Sequence, residues 1–419
     1  MPRSRRLVLS LLLLAFLVVP PAAACQRPAG LGAELNAIVA PHRFSALAWE
    51  ACALLGLGCN GEASPDELAD LDDAAALEAY FALAEAERAV EGRLWEAAEN
   101  GAAEVRGALR EDLADLRAQR AALRGRVETI IARQIRATLD TEGILNPFGS
   151  VSLPVRFPPV GLRLDNPPTL LVVSPRSRIE SVREVMLVQG MPTVTREEIE
   201  AAVAELGYSA LVVDLGGLAA LYPPLIDAGA PLEWTIETAT HEWLHQYLAF
   251  TPLGFRYVLD LAGLRPDYEI ARMNETVAGM MGRELSDCVM EAYHRQPPEA
   301  APATDPAPQP PRDRSLFNRT MRETRLRVDE LLAAVRVDEA EEYMEAQRRY
   351  LASEGYHIRK LNQAYFAFHG AYADAPTSVD PIGEEMRALR REVSSPREFL
   401  DAVSTLTSRA ELQERLAEK

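Results

Sequence analysis

Cysteine is scarce in this chain of 419 residues, which holds four. Four are too few for a disulfide framework, so apolar packing has to supply the stability, and the length allows two or three domains with at least one sizeable core. Aromatic residues are also few, at 6%. The abundance of Ala, Leu, Glu and Arg instead favours helix. Positive charge is in deficit, with 44 Lys and Arg against 62 Asp and Glu. The net charge is −18, and removal of residues 1–24, which carry three arginines and no acid, would take it to −21. A surface that acidic argues against nucleic acid or anionic lipid as a partner. No internal repeat is visible, and beyond the N-terminus no stretch is long and apolar enough to span a bilayer.

The N-terminus has the three-part form of a secretion signal. In "MPRSRRLVLSLLLLAFLVVPPAAAC", Arg3, Arg5 and Arg6 precede an apolar run from Leu7 to Val19 and then small residues up to Cys25. That predicts an exported, extracytoplasmic protein after cleavage of residues 1–24. Ala22 to Ala24 before Cys25 resemble a bacterial lipoprotein cleavage site, but the usual leucine three residues before the cysteine is alanine here. Lipidation at Cys25, which would be the only membrane attachment, and plain secretion both stand. Cys52 and Cys59 are the one close cysteine pair; on a continuous helix they would sit roughly 10 Å apart, too far to bridge. Gly56 and Gly58 could break such a helix, so that disulfide stays open as well. Cys288 reads as a packed thiol.

The rest divides into four stretches. Residues 25–143 read as a helical arm, with a capping signature at Ser64 and Glu67 and a heptad seam of Leu109, Leu113, Leu116, Leu123, Val127 and Ile130. Gly101 marks the fold-back of a hairpin. Residues 144–294 form an α+β core. There the runs "VSLPVRFPPVGLRL", "TLLVVSP", "REVMLVQG" and "SALVVDL" predict a small sheet, with one helix, "TREEIEAAVAELG", capped by Thr195. Residues 295–314 hold seven of the 29 prolines and read as an extended linker. Residues 315–419 are helical again. The predicted class is therefore α+β and predominantly helical, a small sheet packed on a two-helix core.

The chemistry sits in "THEWLHQYLAF", residues 240–250. There are six histidines in the chain, and His241 and His245 lie four apart, on one face of a helix, with Glu242 directly after the first. Two imidazoles that can hold a cation, beside a carboxylate that can take a proton from water, make an H-E-x-x-H pattern. A third ligand is offered by Glu275 in "MNETVAGMMGREL". Its helical face continues through Ala278, Gly279 and Gly282, small residues that would let a second helix approach the first closely. Three protein ligands leave a fourth position for water, as catalytic zinc sites do.

HEWLH followed by NETVA resembles the gluzincin metallopeptidases, over roughly residues 205–293. The resemblance implies one zinc ion per chain held by His241, His245 and Glu275, with Glu242 as general base and proton shuttle. It implies a peptide or protein substrate whose backbone pairs with an edge strand, for which "SALVVDLGGLAAL" is the candidate. It further implies a Tyr or His at the oxyanion. "GYHIRKLNQAYFAFHGAY" supplies His357, Tyr365, His369 and Tyr372; Tyr365 and His369 are the preferred pair, on C-terminal helices that would close as a lid. Asn274 is placed to support the site. The 29 residues between His245 and Glu275 depart from the family pattern, as does the lack of a G-x-M-E-N-type motif. The competing class is an extracytoplasmic helical scaffold that recruits a protein partner through its long arm and carries a structural or degenerate metal site.

Overall fold

The computed structural model describes residues 31–45, 71–99, 103–148, 155–295 and 314–418. The signal sequence with Cys25, the Cys52 and Cys59 pair, the Ser64–Glu67 capping signature, Gly101 and residues 296–313 of the proline-rich stretch lie outside them. Among the described residues the chain is a predominantly helical α+β protein with thirteen α-helices and two three-stranded sheets. None of those helices is long and apolar enough to cross a membrane.

Helix α1 (Leu31–Val39) leads, followed by a hairpin of α2 (Asp73–Glu99) and α3 (Ala103–Thr141). The hairpin is antiparallel, since Arg117 pairs with Glu91 at 2.7 Å and Arg120 with Glu87 at 2.9 Å. The heptad seam is its contact line: Leu109, Leu113, Leu123, Val127 and Ile130 are buried, and Leu116 is partly so. Strands β1 (Arg163–Asp165), β2 (Thr169–Pro175) and β3 (Arg183–Leu187), then α4 (Thr193–Glu205) and β4 (Tyr208–Asp214), follow the predicted runs. Two very short strands, β5 (Gly217–Leu218) and β6 (Leu225–Asp227), complete a second sheet of order β1-β6-β5, in which β6 runs parallel to β1 and antiparallel to β5. Helix α4 starts at Thr193 behind Pro192 with no side-chain cap, so Thr195 lies inside its first turn and does not cap it.

In the first sheet, of order β3-β2-β4, both neighbours run antiparallel to β2, with Leu171 opposite Val185 and Val212. Strand β2 is central and covered on both faces, which explains its unbroken apolar run. Leu171 and Val173 pack on α1 and α4, while Leu170 and Val172 meet a later helix through Ala364 and Ala367.

Helices α5 (Leu232–Leu248), α6 (Pro252–Leu261) and α7 (Tyr268–Tyr293) come next. Helix α5 is buried on nearly all sides. Its Trp243 indole donates to the Pro158 carbonyl at 3.1 Å and its Tyr247 hydroxyl to that of Asn146 at 3.1 Å. The C-terminal part comprises α8 (Arg314–Ala333), α9 (Val337–Ser353), α10 (Gln363–His369), α11 (Pro381–Arg391), α12 (Pro396–Ser404) and α13 (Arg409–Ala417). Ser395 and Ser408 cap the last two through the backbone N–H groups of Glu398 and Glu411.

One hydrophobic core joins α3, α5, α7 and the last three helices, α11 to α13: Ile135, Trp243, Val277, Ile382, Phe399 and Leu412 all belong to it, whereas α8, α9 and Phe366 of α10 form a separate cluster. Helices α11 to α13 are therefore walls of the core, and α10 is packed on the first sheet through Ala364 and Ala367, so the C-terminal part is not the hinged lid expected from the proline-rich linker. Truncating a single buried Leu or Phe costs about 2–5 kcal/mol, against about 5–15 kcal/mol for a whole fold. A chain ending at residue 360 should accordingly show no cooperative thermal melt by circular dichroism, whereas a hinged lid would leave one.

Candidate metal centre

Helices α5 and α7 lie antiparallel and close. A Cβ built on Gly282 would stand 3.3 Å from the His241 Cβ and 3.4 Å from the Glu237 carbonyl oxygen, so a larger residue there would push the helices apart. Gly279 serves a different contact, facing the carboxylate of Asp374 at 3.3 Å from such a Cβ. The close approach lets the short Glu275 side chain reach the histidine face.

His241, His245 and Glu275 form a cluster that could hold a metal ion. The two Nε2 atoms are 3.0 Å apart, and Glu275 Oε2 is 3.5 Å from the first and 3.4 Å from the second. A tetrahedral cation with bonds of about 2.0–2.1 Å needs its ligand atoms about 3.3–3.4 Å apart. The two sides to Glu275 fit that need, and the imidazole nitrogens would have to part by about 0.3 Å to take a cation. Each half of the Glu275 carboxylate has a separate role. Oε1 accepts the Tyr257 hydroxyl at 2.6 Å, while the buried Oε2 has no hydrogen-bond partner among the described residues and faces the imidazoles. An orphaned anionic oxygen of this kind is costly unless a cation or proton meets it. Two nitrogens and one oxygen form a donor set that suits a divalent transition-metal ion.

The surroundings hold these ligands in place. His245 Nδ1 lies 2.7 Å from Asn274 Oδ1, so Nδ1–H donates and Nε2 is the nitrogen that faces the cluster and would bind a metal on losing its proton. The Tyr257 pKa is raised well above the ordinary value by burial and by the Glu275 charge, which keeps its hydroxyl a donor. Burial alone would lower the pKa of His245, but the Glu275 carboxylate overcomes it and holds His245 at about 9. Burial opposes Glu275 in the same way, yet the two histidines pull it well below the carboxylate range. Without a metal, His245 and Glu275 thus form an ion pair.

Glu242 is buried beside the cluster. Burial raises its pKa, and the two histidines and the Ala219 backbone only partly offset this. Its carboxylate rests against Gly217, where a Cβ would come within 2.4 Å of Oε1. The neighbouring Gly216 makes similar room for the Trp234 ring. The strand candidate therefore splits in two. The outer edge of β4 is occupied: Glu200 accepts from Val212 N–H at 2.7 Å, and Arg359 and Asn362 donate to the carbonyls of Val212 and Ala210. Strand β5 keeps its edge. Asp227 N–H donates to the Gly216 carbonyl, and antiparallel alternation then turns Gly217's own N–H and C=O away from β6.

Of the four aromatic and histidine candidates, Tyr372 is the one beside the ligands. Its ring centroid is 6.2 Å from that of His241, and its pKa is raised well above the ordinary value by burial and by the charges of Glu275, Glu242 and Glu184. Tyr365 and His369 stack on each other at 4.2 Å and line a separate cavity, and His357 is exposed. Tyr257 and the Gly216–Gly217 pair were not singled out from the sequence. The Thr251–Pro252 start signature of α6 could have revealed the first, since Thr251 caps that helix through Gly254 N–H. Comparison with protein-family models, with curated proteins and with solved structures finds no match for this chain.

Two measurements follow from this geometry. Zinc binding to metal-free protein at pH 7 should release about one proton, because His245 is protonated there and must lose its proton to bind metal. Calorimetry in buffers of different ionisation enthalpy reads that number; a value near zero would put the ion elsewhere. The raised His245 pKa also stabilises the metal-free fold fully below its unfolded value of 6.5, and the effect is lost as pH rises through about 9. Asn274→Ala should weaken zinc affinity about 10–100-fold, read by competition with a chelator.

Proposed function

We propose that this protein is an exported zinc-dependent hydrolase acting on peptide or amide bonds. The observation that carries the reading is the convergence of His241, His245 and Glu275 with a buried carboxylate, Glu242, next to them. A zinc ion held by the first three would supply Lewis acidity, making a nearby water more acidic and polarising a carbonyl.

The chain's own residues do the rest. The Glu242 carboxylate lies buried against Gly217, and no arginine or lysine pairs with it among the described residues. A carboxylate whose pKa is raised by burial is a stronger base, and it can pass the acquired proton to the leaving amine nitrogen. The outward N–H and C=O of Gly217 can pair with an extended peptide and set the scissile bond beside Glu242. The Tyr372 hydroxyl, kept protonated, can donate to the carbonyl oxygen as negative charge develops there. Export rests on the N-terminal pattern of Arg3 to Cys25.

Purified protein should contain about one zinc per chain. Glu242→Gln should keep that zinc and abolish hydrolysis of a mixed peptide substrate, and Gly217→Ala should do nearly the same by displacing the carboxylate. Retained turnover in Glu242→Gln would remove the proposed base. Tyr372→Phe should lower kcat about 10²–10³-fold with little change in KM; an unchanged kcat would remove the tyrosine from the reaction.

A further inference from the structure

Tyr365 and His369 have no part in the metal centre, yet they line a cavity of about 420 Å³, within the size range of small-molecule sites. Its polar wall includes Tyr268, Arg272, Arg325, Tyr365, His369 and Asp380. The hydroxyl of Tyr365 and the ring nitrogens of His369 have no hydrogen-bond partner among the described residues. Burial pushes the His369 pKa down to about 4, so its ring is neutral at physiological pH and can donate or accept without adding charge.

The lining itself holds three arginines and two acids. Arg178 pairs with Glu180 and Arg272 with Asp380, all four of which line the cavity. Arg325 differs in how it is paired. Its Nε forms an ion pair with Asp329 at 2.8 Å, a residue outside the lining, and its two terminal nitrogens have no hydrogen-bond partner among the described residues. The guanidinium stands 5.9 Å from the Phe366 ring centroid, and Arg272 stacks over Tyr268 at 4.2 Å. Two planar cations held by aromatic faces, one with its terminal edge free, suit the forked geometry of a carboxylate. Phe317 and Phe366 supply an apolar wall beside them.

We propose that this cavity is a carboxylate-binding pocket, which takes an acidic group on Arg325 and Arg272 and an apolar body against Phe317 and Phe366. The acid has two sources: the end of a substrate chain, or a separate small molecule. Both fit the location. Tyr268 and Arg272 precede Glu275 on α7 by about two turns and one turn, and the segment after His369 carries Tyr372 to the metal centre. The pocket does not depend on hydrolysis, so its test can fail while the zinc reading stands, and the reverse.

The test is titration calorimetry on the full chain with N-acetyl-L-phenylalanine and, as a neutral isostere, N-acetyl-L-phenylalaninamide. The acid should bind at least about ten-fold more tightly than the amide. Arg325→Gln should erase that difference, a loss of about 10–100-fold for the acid. Tyr365→Phe, which keeps the shape of the wall, should weaken the acid a few-fold and leaves the proposal testable if the arginine variant does not fold. Zinc content should not change in either variant. If the substrate's own terminus occupies the pocket, C-terminal amidation of a cleaved peptide raises KM and the acid competes with it. If a separate acid does, amidation leaves KM unchanged while the acid keeps its dependence on Arg325. Equal binding of acid and amide, absence of binding at tens of millimolar, or a difference that survives in a folded Arg325→Gln variant would overturn the proposal.

Discussion

The separation of α5 and α7 governs the site. A glutamate side chain is short, and Glu275 reaches the two imidazoles only because the α7 surface opposite His241 is a glycine. The same close packing buries a carboxylate between two histidines, an arrangement that costs several kcal/mol per uncompensated charge. The site therefore has to be held from outside. Asn274 fixes the ring of His245, Tyr257 fixes one oxygen of Glu275, and Gln246 ties α5 to the β5–β6 segment through the Ala219 and Leu221 carbonyls at 3.0 and 2.8 Å. Strand β5 then sets Gly217 against Glu242.

This support extends across the whole chain. Helix α3 and helices α11 to α13 complete the core that backs α5 and α7. The 371–380 segment is pinned to α7, where Arg283 pairs with Asp374, Arg272 with Asp380, and the Ala373 N–H donates to Thr276 Oγ1 at 3.3 Å. Those ties hold Tyr372 beside the histidines and shape the neighbouring arginine-lined cavity from the same elements. Metal cluster and cavity thus share their walls without sharing their side chains.

The most legible parts of the sequence were those governed by local periodicity. Spacing of i, i+4 put His241 and His245 on one face, the heptad seam marked the α2–α3 contact, and β-branched runs marked β2, β3 and β4. Glu275 was legible because small residues follow it on the same helical face. Other features depend on tertiary contact. Strands β5 and β6 are too short to show a period, and the Gly216–Gly217 pair reads as an ordinary turn until Trp234 and Glu242 are seen against it. Tyr365, His369 and Tyr372 are similar in sequence, and only the path of the chain after α10 separates the one beside His241 from the two that face the cavity. The proline-rich stretch suggested independence of the C-terminal part, but residues such as Phe399 are buried in the common core.

The central claim is that one cation is bound by two imidazoles and one carboxylate. Zinc-edge X-ray absorption on the purified protein tests it directly. A first shell of two imidazole nitrogens with oxygen donors at about 2.0–2.1 Å and no sulfur is expected, and Glu275→Gln should alter that shell. A spectrum with sulfur ligation, or one identical in wild type and Glu275→Gln, would contradict it.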